Sequence, residues 1–89
     1  MRIVISVIGK DTVGIIASVS TILAQNNINI LNINQNIVDG YFNMITIADM
    51  TNAKVDLQTI QTTLKNRGLE IGVEIKVQHE SIFEAMHNI

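Results

Sequence analysis

The apolar residues of this chain change their spacing from segment to segment, and the order of these changes constrains the fold more than any other sequence feature. Strand-like patterns alternate with segments in which apolar residues recur at the 3.6-residue spacing of an amphipathic helix. We predict strands over 2–8, 28–38, 41–50 and 69–77, a first helix that follows Asp11–Thr12 and runs to about 26, and a second helix from about 55 to 66. The predicted order is therefore β-α-β-β-α-β.

Short polar sequences mark the boundaries of these segments. Asp11 and Thr12 are competent N-caps for the first helix, which Asn26–Asn27 should end because asparagine tolerates the left-handed conformation. Asp39–Gly40 is a strong signal for a two-residue hairpin turn. We expect Gly68 to end the second helix.

This order predicts an α+β, ferredoxin-like βαββαβ sandwich. Two right-handed crossovers place both helices on one face of a four-stranded antiparallel sheet. We expect the strand order 4-1-3-2, with the first and third strands in the middle. A short amphipathic C-terminal helix at about 81–88 should follow. We expect residues 1–89 to form a single domain with a core of 1–78, because a chain of 89 residues builds one core.

Charge and cysteine content argue against several kinds of site. The net charge is -2 and the six basic residues are scattered, whereas a nucleic-acid-binding domain concentrates them in a patch. The absence of cysteine excludes disulfides, thiolate metal sites and cysteine nucleophiles. Apolar stretches are too short to cross a bilayer, and the N-terminal residues show no signal-peptide pattern. We expect a cytoplasmic protein with no cofactor that binds neither nucleic acid nor membrane.

The loop after the first strand separates the functions that this fold commonly serves. Metal carriers need two cysteines there, and this loop has none. A phosphate-binding enzyme of the acylphosphatase type needs an arginine, but the loop carries Asp11 and only Lys10 as a base. RNA-binding domains stack bases on aromatic residues of the central strands, where this chain has only Tyr41 and Phe42. None of these three functions fits.

The same loop resembles the signature of ACT domains. The residues that carry the resemblance are Val-Ile-Gly-Lys-Asp-Thr-Val-Gly-Ile-Ile-Ala at 7–17, followed by Asn-Ile-Asn-Ile at 27–30. The resemblance covers the whole chain, and residues 82–89 are similar to the end of short bacterial single-ACT-domain proteins. One departure is Val13, where the family usually has proline. The resemblance implies a homodimer that binds a small ligand, an amino acid above all, and regulates a partner protein rather than catalysing a reaction.

Carried onto this sequence, the resemblance implies two groups of ligand-binding residues. The first group is in the loop and first helical turn, and the second opens the second strand, where Asn29 would reach the ligand of the neighbouring subunit. The residues are Gly9, Asp11, Val13, Gly14, Ile15, Asn29 and Ile30. A helix N-terminus suits a carboxylate, and Asp11 beside it suits an ammonium group, so a zwitterion fits. Equally, Asp11 can be a simple N-cap, Gly14 a packing glycine and Asn29 an exposed polar residue.

The second strand also predicts how two chains associate. It should lie at a sheet edge, yet it lacks the Pro, Lys or Arg that usually guard an exposed edge. Leu31, Ile33 and Ile37 give it an apolar face, whereas its asparagines suit a solvated or interfacial polar face. The C-terminal helix adds an apolar stripe of Ile82, Phe83, Met86 and Ile89. We expect two chains to pair through this edge, with the C-terminal helix covering the partner.

Two other interpretations stay open. A protein-interaction module could use the same surfaces to dimerise without binding any metabolite. Glu80, Glu84 and His87 have helical i, i+4, i+7 spacing, so a weak divalent-metal site is conceivable, although such residues are more often only solvated. No Ser-His-Asp or paired-carboxylate arrangement with catalytic spacing occurs, so we do not expect an enzyme.

Overall fold

The computed structural model describes residues 1–87 as one sheet with helices packed on it. The elements are β1 (Arg2–Lys10), α1 (Ile15–Gln25), β2 (Asn29–Val38), β3 (Tyr41–Asp49), α2 (Leu57–Ile71), β4 (Val73–His79) and α3 (Glu80–His87). The β-α-β-β-α-β order followed by a short helix confirms the pattern predicted from apolar spacing. In this part of the chain, no helix is long and apolar enough to cross a membrane.

The sheet is antiparallel throughout, with the order β2-β3-β1-β4. This is the predicted order 4-1-3-2 read from the opposite edge, so β1 and β3 are central and β2 and β4 are edge strands. Ile5 pairs with Thr46 of β3 on one side and with Val77 of β4 on the other. The ferredoxin-like class is therefore correct.

The core lies between one face of the sheet and the helices α1 and α2. Alternate residues of β1, β3 and β4 face these helices, because successive side chains of a strand point to opposite faces. Ile3, Ile5 and Val7 of β1 are all fully buried. Ile15, Val19 and Leu23 are the buried stripe of α1, and Ile60 and Leu64 belong to that of α2. The helical periodicity of both segments is thereby confirmed.

The boundary between α2 and β4 differs from the prediction. The side chain of Asp56 caps α2 by accepting a hydrogen bond from the Thr59 amide at 2.8 Å, and the helix continues to Ile71. Gly68 does not end it. A Cβ at Gly68 would lie 2.6 Å from the Val73 carbonyl oxygen, so this glycine permits close contact between α2 and β4. Gly72, with φ 81°, is the left-handed C-cap, and β4 begins only after it.

Helix α3 lies on the other face of the sheet, against β1 and β4. Val4 points to this face, since its neighbours Ile3 and Ile5 point into the core, yet only 2% of it is exposed. An ion pair of 3.1 Å between Arg2 and Glu80 anchors the start of α3. Ile82 and Met86 remain about half exposed. The predicted stripe also included Ile89, which is outside the described residues.

Candidate functional site

The loop between β1 and α1 is held by the main chain and not by a side-chain cap. The Asp11 amide donates to the Gly40 carbonyl oxygen at 2.9 Å, which ties the loop to the β2–β3 hairpin. Gly14 occupies the N-cap position with φ 92° and ψ 5°, and α1 starts at Ile15 without a side-chain cap bond. The prediction that Asp11 or Thr12 caps α1 was therefore wrong, because the chain enters the helix through a left-handed glycine two or three residues later.

The missing cap leaves donors at the start of α1. The Ser18 amide donates to the Gly14 carbonyl oxygen at 2.9 Å, which is the first hydrogen bond of the helix. The amides that precede Ser18, those of Ile15, Ile16 and Ala17, have no acceptor within the helix. Together with the helix dipole, such amides form a partial positive charge that attracts anions. Within residues 1–87, no side-chain hydrogen bond or ion pair engages the neighbouring Asp11 carboxylate.

These groups line a cleft of about 330 Å³ between the first turn of α1 and the β2–β3 hairpin. Asp11, Thr12 and Gly14 form its polar end. The strands contribute Gln35, Ile37 and Phe42, and the first turn of α1 contributes Ile15, Ile16 and Ala17. A small ligand with one charged end and one uncharged end matches this distribution of groups.

The predicted loop residues do not all face this cleft. Asp11, Gly14 and Ile15 do, whereas Val13 is fully exposed and does not line it. Gly9 lies within β1, where an added Cβ would be 2.7 Å from Cγ1 of Val73. Close packing between β1 and β4 is therefore sufficient to explain the glycine at position 9.

Asn29 and Ile30 lie far from the loop within one chain. They are the first residues of β2, whereas the loop is hydrogen-bonded to the hairpin turn that follows the last residue of β2. A ten-residue strand spans about 30 Å, which separates the two groups. Asn29 instead lines a second cleft of about 440 Å³ with Asp49 and Thr51. Hydrogen bonds from the Thr51 hydroxyl at 2.7 Å and amide at 3.0 Å lower the pKa of Asp49. A single chain does not bring the two predicted groups together.

The uncovered part of the sheet carries a third cleft, of about 390 Å³. The alternate asparagines of β2 share a face with the β3 residues opposite them, as the alternation predicted. The lining residues are Asn32, Asn34, Asn36, Asn43, Ile45 and Ile47. Amide groups surround an apolar floor here, and charged residues do not contribute to the lining.

A simpler sequence signal marks the side of the molecule on which the first cleft lies. No charged residue occurs between Asp11 and Asp39, a stretch that contains the whole of α1 and β2. Most residues of this stretch are at least partly exposed, and the buried ones are Ile15, Val19, Leu23 and Ile28. The run of uncharged residues is therefore the sequence feature that identifies this surface, which carries no recognisable motif of its own along β2.

One of the three candidate metal ligands of the C-terminal helix, the side chain of His87, lies outside the described part of the structure. Glu80 is paired with Arg2, and His87 ends the described part of the chain. Among the described side chains, those of residues 1–86, no three His, Cys, Asp or Glu are placed to hold a metal ion.

Comparisons with known proteins agree with this fold. The family model described as ACT domain matches residues 1–78. A UPF0237 protein of Methanocaldococcus jannaschii is 52% identical over 88 residues, which cover 99% of this chain and 98% of the relative. An ACT domain protein from Streptococcus pneumoniae superimposes with a TM-score of 0.82, at 34% identity and 94% coverage of both chains. A structure titled as a glycine cleavage system transcriptional repressor has a TM-score of 0.76 at 19% identity, covering 89% of this chain and 47% of its own. The chain belongs to the ACT domain family.

Proposed function

We propose that this protein is a cytoplasmic regulatory module that binds an α-amino acid as a homodimer and controls a partner protein rather than catalysing a reaction. Family membership supports a small-molecule-binding regulatory role. A protein titled as a transcriptional repressor has the same fold, at 19% identity.

The observation that carries the proposal is the uncapped start of α1 beside Asp11. The first-turn amides can receive a carboxylate, because the helix dipole and the free N–H groups act in the same direction. The Asp11 carboxylate can receive an ammonium group. An α-amino acid carries both charged groups on the same carbon atom, a few ångströms apart, so one ligand satisfies both groups. The apolar wall of Ile16, Ile37 and Phe42 then accommodates its uncharged part.

The homodimer is supported by the surface formed by α1 and β2. Every residue of β2 except Ile30 is exposed, although β2 is an edge strand with unpaired backbone groups. The surface is uncharged, whereas exposed surfaces normally carry charged residues. A stable interface takes about 20–30 residues from each partner, and this stretch is long enough to supply them.

A dimer through β2 would complete the site that one chain leaves divided. Antiparallel pairing of two β2 strands about a two-fold axis brings the start of one strand to the end of the other. The end of β2 leads into the Asp39–Gly40 turn, to which the Asp11 loop is hydrogen-bonded. Asn29 and Ile30 of one copy would then lie beside the Asp11 loop of the other.

Thermal melts against each of the twenty amino acids test the proposal. A ligand that binds the folded protein stabilises it by RT ln(1 + [L]/Kd), about 2.7 kcal/mol at 100 times Kd. At least one amino acid should raise the midpoint, and its deaminated analogue should raise it less. Asp11→Asn should remove the shift, whereas Asp39→Asn, the matched control on the hairpin turn, should retain it. Equal shifts for both variants would contradict the role of Asp11.

A dimerisation module without a ligand is the second candidate. It is favoured by the uncharged α1–β2 surface, which needs a partner whether or not a metabolite binds. Light scattering should then report about twice the 9.8 kDa chain mass, while none of the twenty amino acids changes the melting midpoint.

A further inference from the structure

We infer that the two β2 strands of the dimer pair in one register, with Gln35 on the two-fold axis and Ile33 of each chain opposite Ile37 of the other. The inference rests on the proposed homodimer. It goes beyond it by specifying which residues of the two chains lie opposite each other and which of them line both ligand clefts.

The hairpin determines which backbone groups of β2 are free. Val38 pairs with Tyr41 across the Asp39–Gly40 turn, whose two residues both have positive φ, 51° and 79°. The residues that flank a two-residue turn of this kind exchange both backbone hydrogen bonds. Because hydrogen-bonded and non-hydrogen-bonded pairs alternate, Ile33, Gln35 and Ile37 direct their N–H and C=O groups away from β3. These three residues therefore form the free edge.

Three neighbouring registers place the axis at residue 34, 35 or 36. Only the axis at Gln35 pairs all three free-edge residues with free-edge residues of the second copy, giving about six inter-chain hydrogen bonds. With the axis at Asn34, Ile37 lies opposite Leu31, at the irregularity of β2. With the axis at Asn36, Ile33 lies opposite Asp39 in the turn. Each alternative therefore loses about two of the six bonds.

Side chains on both faces favour the same register. On the face that carries α1, the Gln35 axis places Ile33 opposite Ile37 twice and Gln35 opposite itself. On the other face it places Asn34 opposite Asn36 twice, so that amide groups can exchange hydrogen bonds. An axis at Asn34 would instead oppose Ile33 to Gln35, and an axis at Asn36 would oppose Ile37 to Gln35. Apolar–apolar cross-strand pairs are more favourable than such mixed pairs.

This register also links the two ligand clefts. Gln35 lines the cleft of its own chain, so two glutamines at the axis form a polar wall shared by both clefts. Ile30, on the far side of the irregularity at Leu31, comes opposite the Asp39–Gly40 turn of the other chain, next to the Asp11 loop. The register therefore places the second copy's Asn29 and Ile30 at the polar end of the cleft.

Single cysteines introduced into this cysteine-free chain report the register directly. With the axis at residue 35, the two Cα atoms at that position lie about 5.5 Å apart, within the range of about 4.4–6.8 Å that a disulfide spans. The two copies of residue 34, or of residue 36, lie about 8 Å apart, which is too far. Mild oxidation should therefore crosslink Gln35→Cys to a dimer, while Asn34→Cys and Asn36→Cys stay uncrosslinked. An equimolar mixture of the two asparagine variants, refolded together, should crosslink.

Non-reducing electrophoresis and light scattering separate this inference from the proposed function. Crosslinking of Asn34→Cys or Asn36→Cys alone, or a dimer in which no variant crosslinks, overturns the register. A rise in the wild-type melting midpoint with an amino acid, measured alongside, would leave the proposed function intact. A monomeric wild-type protein overturns the register and the proposed dimeric site together. Circular dichroism of each variant confirms that the exposed substitutions leave the fold unchanged.

Discussion

Thr46 buries a hydroxyl group that has no hydrogen-bond partner in the described part of the chain, and replacing it should stabilise the protein. It lies in β3, paired with Ile5 and Ile33, and its side chain points toward the helices. Only 1% of the residue is exposed, and Oγ1 is buried with no hydrogen-bond partner among the residues that the structure describes. The hydroxyl has therefore lost its bonds to water on folding and gained none in return.

Thr46→Val replaces this hydroxyl by a methyl group of similar size. Burying an unbonded hydroxyl costs about 1–3 kcal/mol, and valine removes this cost while keeping the branched shape that suits a strand. We expect the free energy of unfolding to rise by about 1–2 kcal/mol. For a domain of this size, each kcal/mol raises the melting midpoint by about 4–8 °C.

Urea denaturation at a fixed protein concentration measures the change, since association also contributes to apparent stability. Thr46→Ser is the matched control: it keeps the hydroxyl and removes a buried methyl group, so it should lose about 1 kcal/mol. A Thr46→Val variant that is no more stable than the wild type, with an unchanged m-value, would refute the reasoning. The hydroxyl would then have a partner in solution.

Gly68→Ala should lower the free energy of unfolding by about 1–3 kcal/mol, although alanine favours a helix, because the new methyl group would meet the Val73 carbonyl oxygen. Gly68 and Asn66 share α2, so Asn66→Ala at an exposed position should be neutral or stabilising by comparison in the same urea series. Hydrogen bonds from the Thr59 hydroxyl and amide lower the pKa of the Asp56 carboxyl below 3.8. The stabilisation that the ionised Asp56 carboxylate provides is therefore present above pH 3.8 and is lost as the pH falls through the lowered pKa. The melting midpoints of Asp56→Ala and the wild type should differ at pH 7 and converge near pH 2.

The order and type of the elements were predictable from the sequence, because they follow from local geometry. Period-two alternation and a 3.6-residue stripe are properties of the backbone, and they are visible in any segment that keeps one side buried. Asp39–Gly40 supplied the positive φ angles that a tight hairpin needs. Once these elements were known, the right-handedness of the two crossovers gave the order of the strands in the sheet.

The end of α2 was not predictable in the same way. Leu69 and Ile71 continue the alternation of β4 backwards, yet they belong to the helix, and Leu69 is 72% exposed. Gly68 resembles a helix stop in the sequence, but its missing side chain serves the contact with Val73. The contact that decides between these two roles is made only when β4 packs against the helix.

The sequence by itself determined the βαββαβ order, the hairpin turn and the uncharged stretch that contains α1 and β2. Only the tertiary structure decided that Gly14 precedes α1 without a side-chain cap, that Val13 does not line the cleft and that Asn29 lies at the far end of β2. The reason is physical: periodicity reports which side of a segment is buried, whereas a site is formed by groups that several segments leave uncovered. Which groups remain uncovered depends on contacts between residues far apart in the chain.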